Sequence, residues 1–213
     1  MIEERIKNNL VSIKKKIPVH CCLIAVSKYV TEKEIKIAYN HGQRDFGENR
    51  VPELLKKATT LKEECPDIRW HMIGNIQSNK IKDLLLVPNL FAIHSVYKLK
   101  HLKMLNSLCT HPLDLFFQVN SSKEQQKGGV DSVEELKELI SSIQNPLLKF
   151  SGLMGMGALE GSKEELRESF RELKKMTCEL GEDLKTSMGM SADFELALEE
   201  GSNFVRIGSA IFK

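Results

Sequence analysis

The chain has 213 residues, of which 41% are hydrophobic and 28% are charged, so it can bury the core of one domain or of two small ones. Lysine and arginine number 31 against 29 acidic residues, and the net charge of +2 at pH 7 creates no field that would predict a nucleic-acid partner. No apolar run approaches the roughly 20 residues that span a bilayer, and the charged segment 1–16 excludes a secretory signal.

The cysteines indicate a reducing compartment. They number 5, which is odd, and they form no C-x-x-C pair of the kind that binds zinc or exchanges disulfides. Reduced thiols in a cytoplasmic protein are the simplest explanation, so we expect a cytoplasmic location.

Segments with helix and strand patterns alternate along the chain. Apolar residues recur every three or four positions from Ile2 to Ile17, which predicts an opening helix. Thr31 and Glu34 have the spacing of a capping box, which predicts the start of the helix after the first strand. The predicted strands are Cys21–Ser27, Arg44–Gly47, Arg69–Ile73, Leu90–His94, Asp114–Val119, Lys149–Met154, Thr186–Met190 and Phe204–Ile207.

Helices are predicted between all of these strands, and this order fixes the fold class. Because a crossover helix returns the chain to the same edge, neighbouring strands should be parallel. Such units close into a (β/α)8 TIM-type barrel, with an open doubly wound sheet as the alternative. We expect one α/β domain over residues 1–213 with an extra N-terminal helix. The predicted helices between strands are Thr31–Gly42, one beginning near Pro52, Ser78–Leu86, Lys98–Leu108, Asp131 or Ser132 to Ile143, Ser162–Leu180 and Ser191–Gly201.

Lys28 follows the first predicted strand directly. A lysine at the end of a buried parallel strand faces the mouth of the sheet, where ligands bind. If it is partly desolvated, more of it is the neutral amine that attacks carbonyl groups. The alternative is a lysine that marks the end of the strand and points to water.

The ends of the last two strands have the composition of a phosphate site. Ser191 is predicted to cap a short helix, which would point its hydroxyl and the following N–H groups at one spot. Gly208 and Ser209 would add close backbone approach and a second hydroxyl. The alternatives are a plain N-cap serine and a turn glycine.

Arg206 lies inside the last strand, on the same face as Gly208 because side chains alternate along a strand. If that face is inward, the guanidinium lies in the barrel mouth and needs an acceptor. If it is outward, Glu199 or Glu200 is the expected partner. A lysine that forms imines, a phosphate site and an inward arginine together fit pyridoxal 5′-phosphate (PLP).

Seven motifs, in matching order, carry a resemblance to a known family. They are AVSKYVT, FGENRVPE, WHMIGNIQSNK, HSV, GLMGMGA, SMGMSADFELAL and VRIGSAIF. On these motifs the chain resembles the PLP homeostasis proteins, also called proline synthetase co-transcribed homologues. That family is similar to the N-terminal barrel of alanine racemase, which is the type III PLP fold.

The resemblance implies a role for each site residue. Lys28 would carry PLP as an internal aldimine, and Arg206 would face the pyridine nitrogen. The residues implied to hold the phosphate are Ser191 or Ser187, Gly208 and Ser209. The residues implied to line the pocket are Asn49, His71, Asn75 and Gln77.

The chemistry favours a carrier of PLP over a catalyst. An arginine donates hydrogen bonds and does not protonate the pyridine nitrogen, so the electron sink is weak. Alanine racemase also uses a tyrosine from a second domain, which we do not expect within these 213 residues. The expected function is intracellular PLP homeostasis without amino-acid turnover. An amino-acid racemase-like enzyme is the alternative, and a barrel that binds another sugar or nucleotide phosphate is a third possibility.

The expected partners follow from the carrier function. They are PLP and the PLP-dependent apo-enzymes that would receive it, with no nucleic acid, no membrane and no metal. We expect a monomer. Lys123 and Lys127, near the predicted mouth, are hypothetical secondary sites of imine formation during release.

Overall fold

The computed structural model describes residues 1–120, 128–157 and 161–213. Strands and helices alternate along this part of the chain. The strands are β1 (Cys22–Val26), β2 (Asp45–Glu48), β3 (Arg69–Met72), β4 (Leu90–Val96), β5 (Leu113–Gln118), β6 (Leu148–Met154), β7 (Lys185–Met190) and β8 (Phe204–Ile207). The helices are α1 (Ile2–Lys16), α2 (Glu32–Asn40), α3 (Val51–Leu61), α4 (Ile81–Leu85), α5 (Leu99–Leu108), α6 (Val133–Ser141), α7 (Lys163–Leu180), α8 (Phe194–Glu199) and α9 (Ser209–Phe212).

The strands form a closed barrel in which sequence order is also spatial order. Every neighbouring pair is parallel, and β1 pairs with β8 through Ile24 and Arg206 to close the ring. The predicted (β/α)8 barrel is therefore confirmed, and the open sheet is excluded. In such barrels the loops after the strands meet at one mouth, which is where functional residues collect.

Helix caps explain several boundaries. The predicted capping box of Thr31 and Glu34 begins α2, and an equivalent box of Ser162 and Glu165 begins α7. Ser132, rather than Asp131, caps α6 by accepting from the N–H of Glu135. Each of these caps satisfies backbone donors that a helix start leaves without partners.

Several predicted boundaries differ from the structure, and one helix was missed. Strand β4 continues past His94 to Val96, and the helix α9 after the last strand was not predicted. Ser191 does not cap α8, which begins three residues later at Phe194. The reason is a turn before the helix, in which the Met190 N–H donates to the Asp193 carboxylate at 2.5 Å.

The apolar core has two parts. The larger part packs between the strands and the surrounding helices, and a smaller cluster inside the barrel contains Ile24, Ala92, Phe116, Met154 and Phe204. No helix in the described ranges is both long and apolar enough to cross a membrane.

Helix α1 holds the end of the chain in place. Nη2 of Arg5 donates to the carbonyl of Phe212 at 3.0 Å, and Nδ2 of Asn9 donates to that of Ile211 at 3.0 Å. Both carbonyls belong to α9, which begins at Ser209. The N-terminal helix therefore fixes the segment that follows β8 and with it one side of the barrel mouth.

Candidate functional site

A cavity of about 610 Å³ opens at the C-terminal ends of the strands. Residues that follow β1, β2, β3, β6, β7 and β8 all contribute to its lining. Of the ten predicted site residues, the ones that line the cavity are Lys28, Asn49, Ser191, Arg206, Gly208 and Ser209. The apolar part of the lining includes Val26, Val30, Ile73, Met154, Met156, Met190, Ala192 and Phe212.

Lys28 lines the cavity at its rim. Strand β1 ends at Val26, and the chain then turns through Tyr29, which has a left-handed φ of 65° and a side chain exposed to solvent. Lys28 itself is exposed, so the partial desolvation expected from the sequence is not present. Its amine is accessible from the cavity and from solvent, which suits a group that bonds to a ligand and releases it.

A buried ion pair fixes the loops on both sides of Lys28. Nζ of Lys57, from α3, donates to Oε1 of Glu48 at 2.6 Å and to the carbonyl of Ser27 at 2.8 Å. Ser27 Oγ donates to the same carboxylate at 3.0 Å, and the Asn49 N–H donates to its other oxygen at 3.3 Å. The ends of β1 and β2, which present Lys28 and Asn49, are therefore tied to one charge cluster.

Sequence reasoning missed the role of Lys57. The buried face of α3 contains Val51, Leu54, Ala58 and Leu61, and Lys57 shares this face. A charged residue in an apolar stripe requires a partner inside the protein, because burial of an unpaired charge is costly. That signal was available in the sequence, but the partner Glu48 could be known only from the fold.

Arg206 points into the barrel. Nη1 donates to Oγ of Ser187 at 2.8 Å and Nη2 donates to the carbonyl of Gly155 at 2.9 Å. Burial lowers the pKa of the guanidinium to about 10, so it stays charged at neutral pH. The alternative partners Glu199 and Glu200 bind Arg167 instead. The inward orientation is confirmed, and Arg206 also lines the cavity.

Ser191 and Gly208 lie against each other at one side of the cavity. The Gly208 N–H donates to Oγ of Ser191 at 3.3 Å, which leaves the serine proton free to bind a ligand. A Cβ at position 208 would lie 3.1 Å from the carbonyl oxygen of Val26, so the approach of this backbone to β1 leaves little room for a side chain. Ser209 is exposed beside them and adds a second hydroxyl.

Four residues predicted to hold the phosphate or line the pocket do not line the cavity. Ser187 is fully buried in β7, where it accepts a hydrogen bond from Arg206, and it does not line the cavity. His71 is fully buried in β3, because its position inside the strand directs the ring into the barrel. Asn75 and Gln77 are exposed, and from their segment Ile73 lines the cavity instead. The predictions for Lys123 and Lys127 lie outside the described residues.

His71 belongs to a polar cluster near the other end of the barrel. Its Nε2 lies 3.0 Å from Oδ1 of Asp45, and Nη2 of Arg69 donates to Oδ2 of Asp45 at 2.6 Å. Burial alone would raise the pKa of Asp45, but these two hydrogen bonds outweigh it and lower the pKa to about 2. Asp45 is therefore a carboxylate throughout the neutral range.

The lowered pKa of Asp45 predicts that the protein loses part of its free energy of unfolding in acid. A carboxylate whose pKa falls on folding stabilises the protein above its unfolded value of 3.8, and the stabilisation is lost as the pH falls through about 2. The wild type should lose about 2 kcal/mol from this group over that window, and Asp45→Asn should lose much less there. The measurement is urea unfolding at pH 5 and pH 2.5. The control is Asp183→Asn, which changes an exposed acid and should lose as much stability as the wild type. Equal losses in Asp45→Asn and the wild type would contradict it.

Comparison with known proteins places this site in a family. The family model described as alanine racemase, N-terminal domain, matches residues 3–213. The chain is 39% identical over 205 residues to the pyridoxal phosphate homeostasis protein of Schizosaccharomyces pombe, covering 89% of this chain and 82% of that one. It is 42% identical over 197 residues to the protein of that name from Helicobacter pylori, covering 90% and 86%. The chain belongs to the pyridoxal phosphate homeostasis protein family.

A solved structure shows what a protein of this fold binds. The chain matches PipY of Synechococcus elongatus, whose structure has PLP bound, with a TM-score of 0.85 and 32% identity. The match covers 98% of this chain and 100% of PipY. The family resemblance stated from the seven motifs is thereby confirmed.

Proposed function

We propose that this protein binds PLP in the cavity at the barrel mouth and acts in intracellular PLP homeostasis. One observation supports this most: Lys28, Arg206 and the Ser191–Gly208 pair line the same space of about 610 Å³. PipY, which shares the fold at 32% identity, binds PLP. The relatives from Schizosaccharomyces pombe and Helicobacter pylori are named for PLP homeostasis.

The donor set of the cavity fits this cofactor. When bound, PLP supplies an aldehyde that forms a reversible covalent bond with a lysine amine. Lys28 would be that lysine, and its exposed position lets an incoming amine reach the bond. Ser191, Gly208 and Ser209 would hold the phosphate through hydroxyl and backbone N–H donors. Arg206 would donate to the ring nitrogen, and because it is a donor only, it would keep that nitrogen unprotonated.

The same residues favour carriage of PLP over turnover. An unprotonated ring nitrogen weakens the electron sink that amino-acid chemistry requires. Glu34 lines the cavity, but its carboxylate is engaged by the N–H and hydroxyl of Thr31. The proposed recipients are PLP-dependent apo-enzymes, and the proposed acting unit is a monomer. The 5 free cysteines fit the proposed cytoplasmic location.

A racemase-like enzyme is the second candidate, and Tyr29 favours it. This tyrosine follows Lys28 and lines the same cavity, so it is a potential second acid or base. Its side chain is 89% exposed, however, so solvent surrounds it. The two functions differ in one measurable outcome, because only a racemase would exchange the α hydrogen of an amino acid with solvent deuterium.

Borohydride reduction tests the proposed function. Addition of PLP to the wild type should produce a near-visible absorbance band, and reduction should leave a phosphopyridoxyl group on Lys28. We expect this result because, in the proposed complex, the Lys28 amine is the nucleophile that reacts with the PLP aldehyde. Peptide mass mapping after digestion measures which lysine carries the group.

Two variants make the test specific. Lys28→Arg keeps the charge but removes the nucleophile and should abolish the modification. Lys33→Arg changes an exposed lysine in the same segment and should leave the modification unchanged. The absence of the band, or equal modification of surface lysines in the wild type and Lys28→Arg, would contradict PLP binding at this site.

A further inference from the structure

A chain of hydrogen bonds crosses the barrel interior beneath the cavity. Nη1 of Arg206 lies 2.8 Å from Oγ of Ser187, which lies 3.0 Å from Nδ1 of His94. Nε2 of His94 lies 3.0 Å from Nδ1 of His71, whose Nε2 lies 3.0 Å from Oδ1 of Asp45. We call Arg206, Ser187, His94, His71 and Asp45 the interior chain. It joins the cavity to the opposite part of the barrel through residues of β8, β7, β4, β3 and β2.

The surroundings of the interior chain are apolar. Phe116 stacks on the His94 ring with centroids 4.3 Å apart and planes 6° apart, and Phe204 packs edge-on against the same ring. His94, His71 and Ser187 have no exposed surface. The polar side-chain atoms of these three residues therefore depend on their neighbours in the interior chain, because an unsatisfied buried donor or acceptor is costly.

Each end of the interior chain has a fixed role in hydrogen bonding, one as a donor and the other as an acceptor. The Arg206 guanidinium donates and never accepts. The Asp45 carboxylate only accepts, and its Oδ2 already accepts from Arg69 at 2.6 Å. With both histidine rings neutral, the acceptor-only carboxylate fixes the direction of every hydrogen bond between the two ends.

Each link in the interior chain then holds one proton. Asp45 only accepts, so Nε2 of His71 carries the proton of that link. A neutral His71 then accepts on Nδ1 from Nε2 of His94. A neutral His94 likewise accepts on Nδ1, so the Ser187 hydroxyl donates to it while its oxygen accepts from Arg206. Burial lowers the pKa of His94 well below its usual value, which agrees with a neutral ring.

We propose that the interior chain has this single direction, and that His94, His71 and Asp45 are positioning residues that fix the guanidinium of Arg206. Ser187 and the Gly155 carbonyl are the described acceptors of Arg206, so the orientation of the Ser187 hydroxyl sets one of its two anchors. This inference rests on the proposed function where it concerns PLP. It makes PLP affinity depend on Asp45, a residue outside the cavity.

Asp45→Asn is expected to reverse the direction of the hydrogen bonds in the interior chain. Arg69 can only donate, so it keeps the amide oxygen and directs the amide N–H group towards His71. His71 then accepts on Nε2 and donates from Nδ1, and His94 follows in the same sense. Ser187 now receives donors from both His94 and Arg206, and its own proton has lost its acceptor. Rotation of this serine removes an anchor of Arg206.

Nitrogen NMR of the histidine side chains tests the direction of the chain without PLP. In the ¹⁵N-labelled wild type, His71 and His94 should both be neutral with the proton on Nε2. In Asp45→Asn both should carry it on Nδ1, and in Asp183→Asn, an exposed acid, both should stay as in the wild type. Signals are assigned from their loss in His71→Gln and His94→Gln. A charged ring or an Nδ1 proton in the wild type, or unchanged tautomers in Asp45→Asn, would overturn the proposal.

Titration with PLP tests the positioning role. The dissociation constant should rise about tenfold in Asp45→Asn, as expected for the loss of one buried hydrogen bond, and should not change in Asp183→Asn. Inverted tautomers with an unchanged dissociation constant would show that the chain does not position Arg206. If the wild type binds no PLP, the proposed function fails, and the tautomers alone still decide whether the chain has one direction.

Discussion

Replacement of Lys57 by methionine is expected to destabilise the protein by about 3–5 kcal/mol. The Lys57 side chain is 7% exposed and that of Glu48 is 1% exposed, so the pair is shielded from solvent. Methionine fills a similar volume but leaves the Glu48 carboxylate buried without a cation. The loss of the bond to the Ser27 carbonyl adds a second unsatisfied group. Urea unfolding at 25 °C measures the change in the free energy of unfolding.

The neighbouring residue provides a matched control. Lys56 is 70% exposed and lies 3.8 Å from the carboxylate of Glu32, so Lys56→Met should change stability by less than about 0.5 kcal/mol. Adding Glu48→Gln to Lys57→Met should restore part of the stability, because it removes the unpaired charge. A loss in Lys57→Met no larger than that in Lys56→Met would show that the buried pair does not hold this region.

The Lys57–Glu48 pair also affects the geometry of the cavity. Lys57 bonds the carbonyl directly before Lys28, and Glu48 bonds the N–H of Asn49. Both cavity residues lie at the ends of strands whose geometry depends on this pair. We therefore infer that the charge cluster supports the position of Lys28, although it does not line the cavity.

The fold was largely predictable because its signals are local. Apolar periodicity and capping boxes such as Thr31 with Glu34 depend on residues within a few positions, and the structure confirms them. The order of strands and helices favoured a closed barrel but left an open doubly wound sheet as the alternative, which the structure excludes. The start of α8 was not predictable from Ser191, because a serine suits both a helix cap and the turn that Asp193 stabilises.

The residues that line the cavity could be predicted only in part, because their orientation depends on contacts with residues far away in the sequence. Strand alternation places Arg206 and Gly208 on one face but does not say whether that face is inward. The answer depends on Ser187 and Gly155, which come from two other strands. His71 was misplaced for a similar reason, since its partner Asp45 lies 26 positions away in the sequence. Contacts between distant residues leave no local pattern.

A second large effect is expected at Gly152 in β6. Its φ of 150° lies in a region that side chains rarely adopt, and an added Cβ would overlap the carbonyl oxygen of Lys185 in β7. The same Cβ would lie 2.7 Å from the Lys185 carbonyl carbon and 2.8 Å from its nitrogen. These are backbone atoms of a paired strand and cannot rotate away. Gly152→Ala should therefore cost about 4 kcal/mol or more, from backbone strain and overpacking together.

Gly42→Ala separates these two contributions. Gly42 has a φ of 81°, and the nearest atom to an added Cβ is the flexible Lys14 amine at 3.9 Å. It should therefore show the backbone cost alone, about 1–2 kcal/mol. Chemical unfolding measures both variants, and a Gly152→Ala protein without a cooperative transition would also agree with the prediction. If Gly152→Ala were no less stable than Gly42→Ala, the spacing between β6 and β7 would not require glycine. The difference between the two variants therefore isolates the steric demand of closing the barrel at this pair of strands.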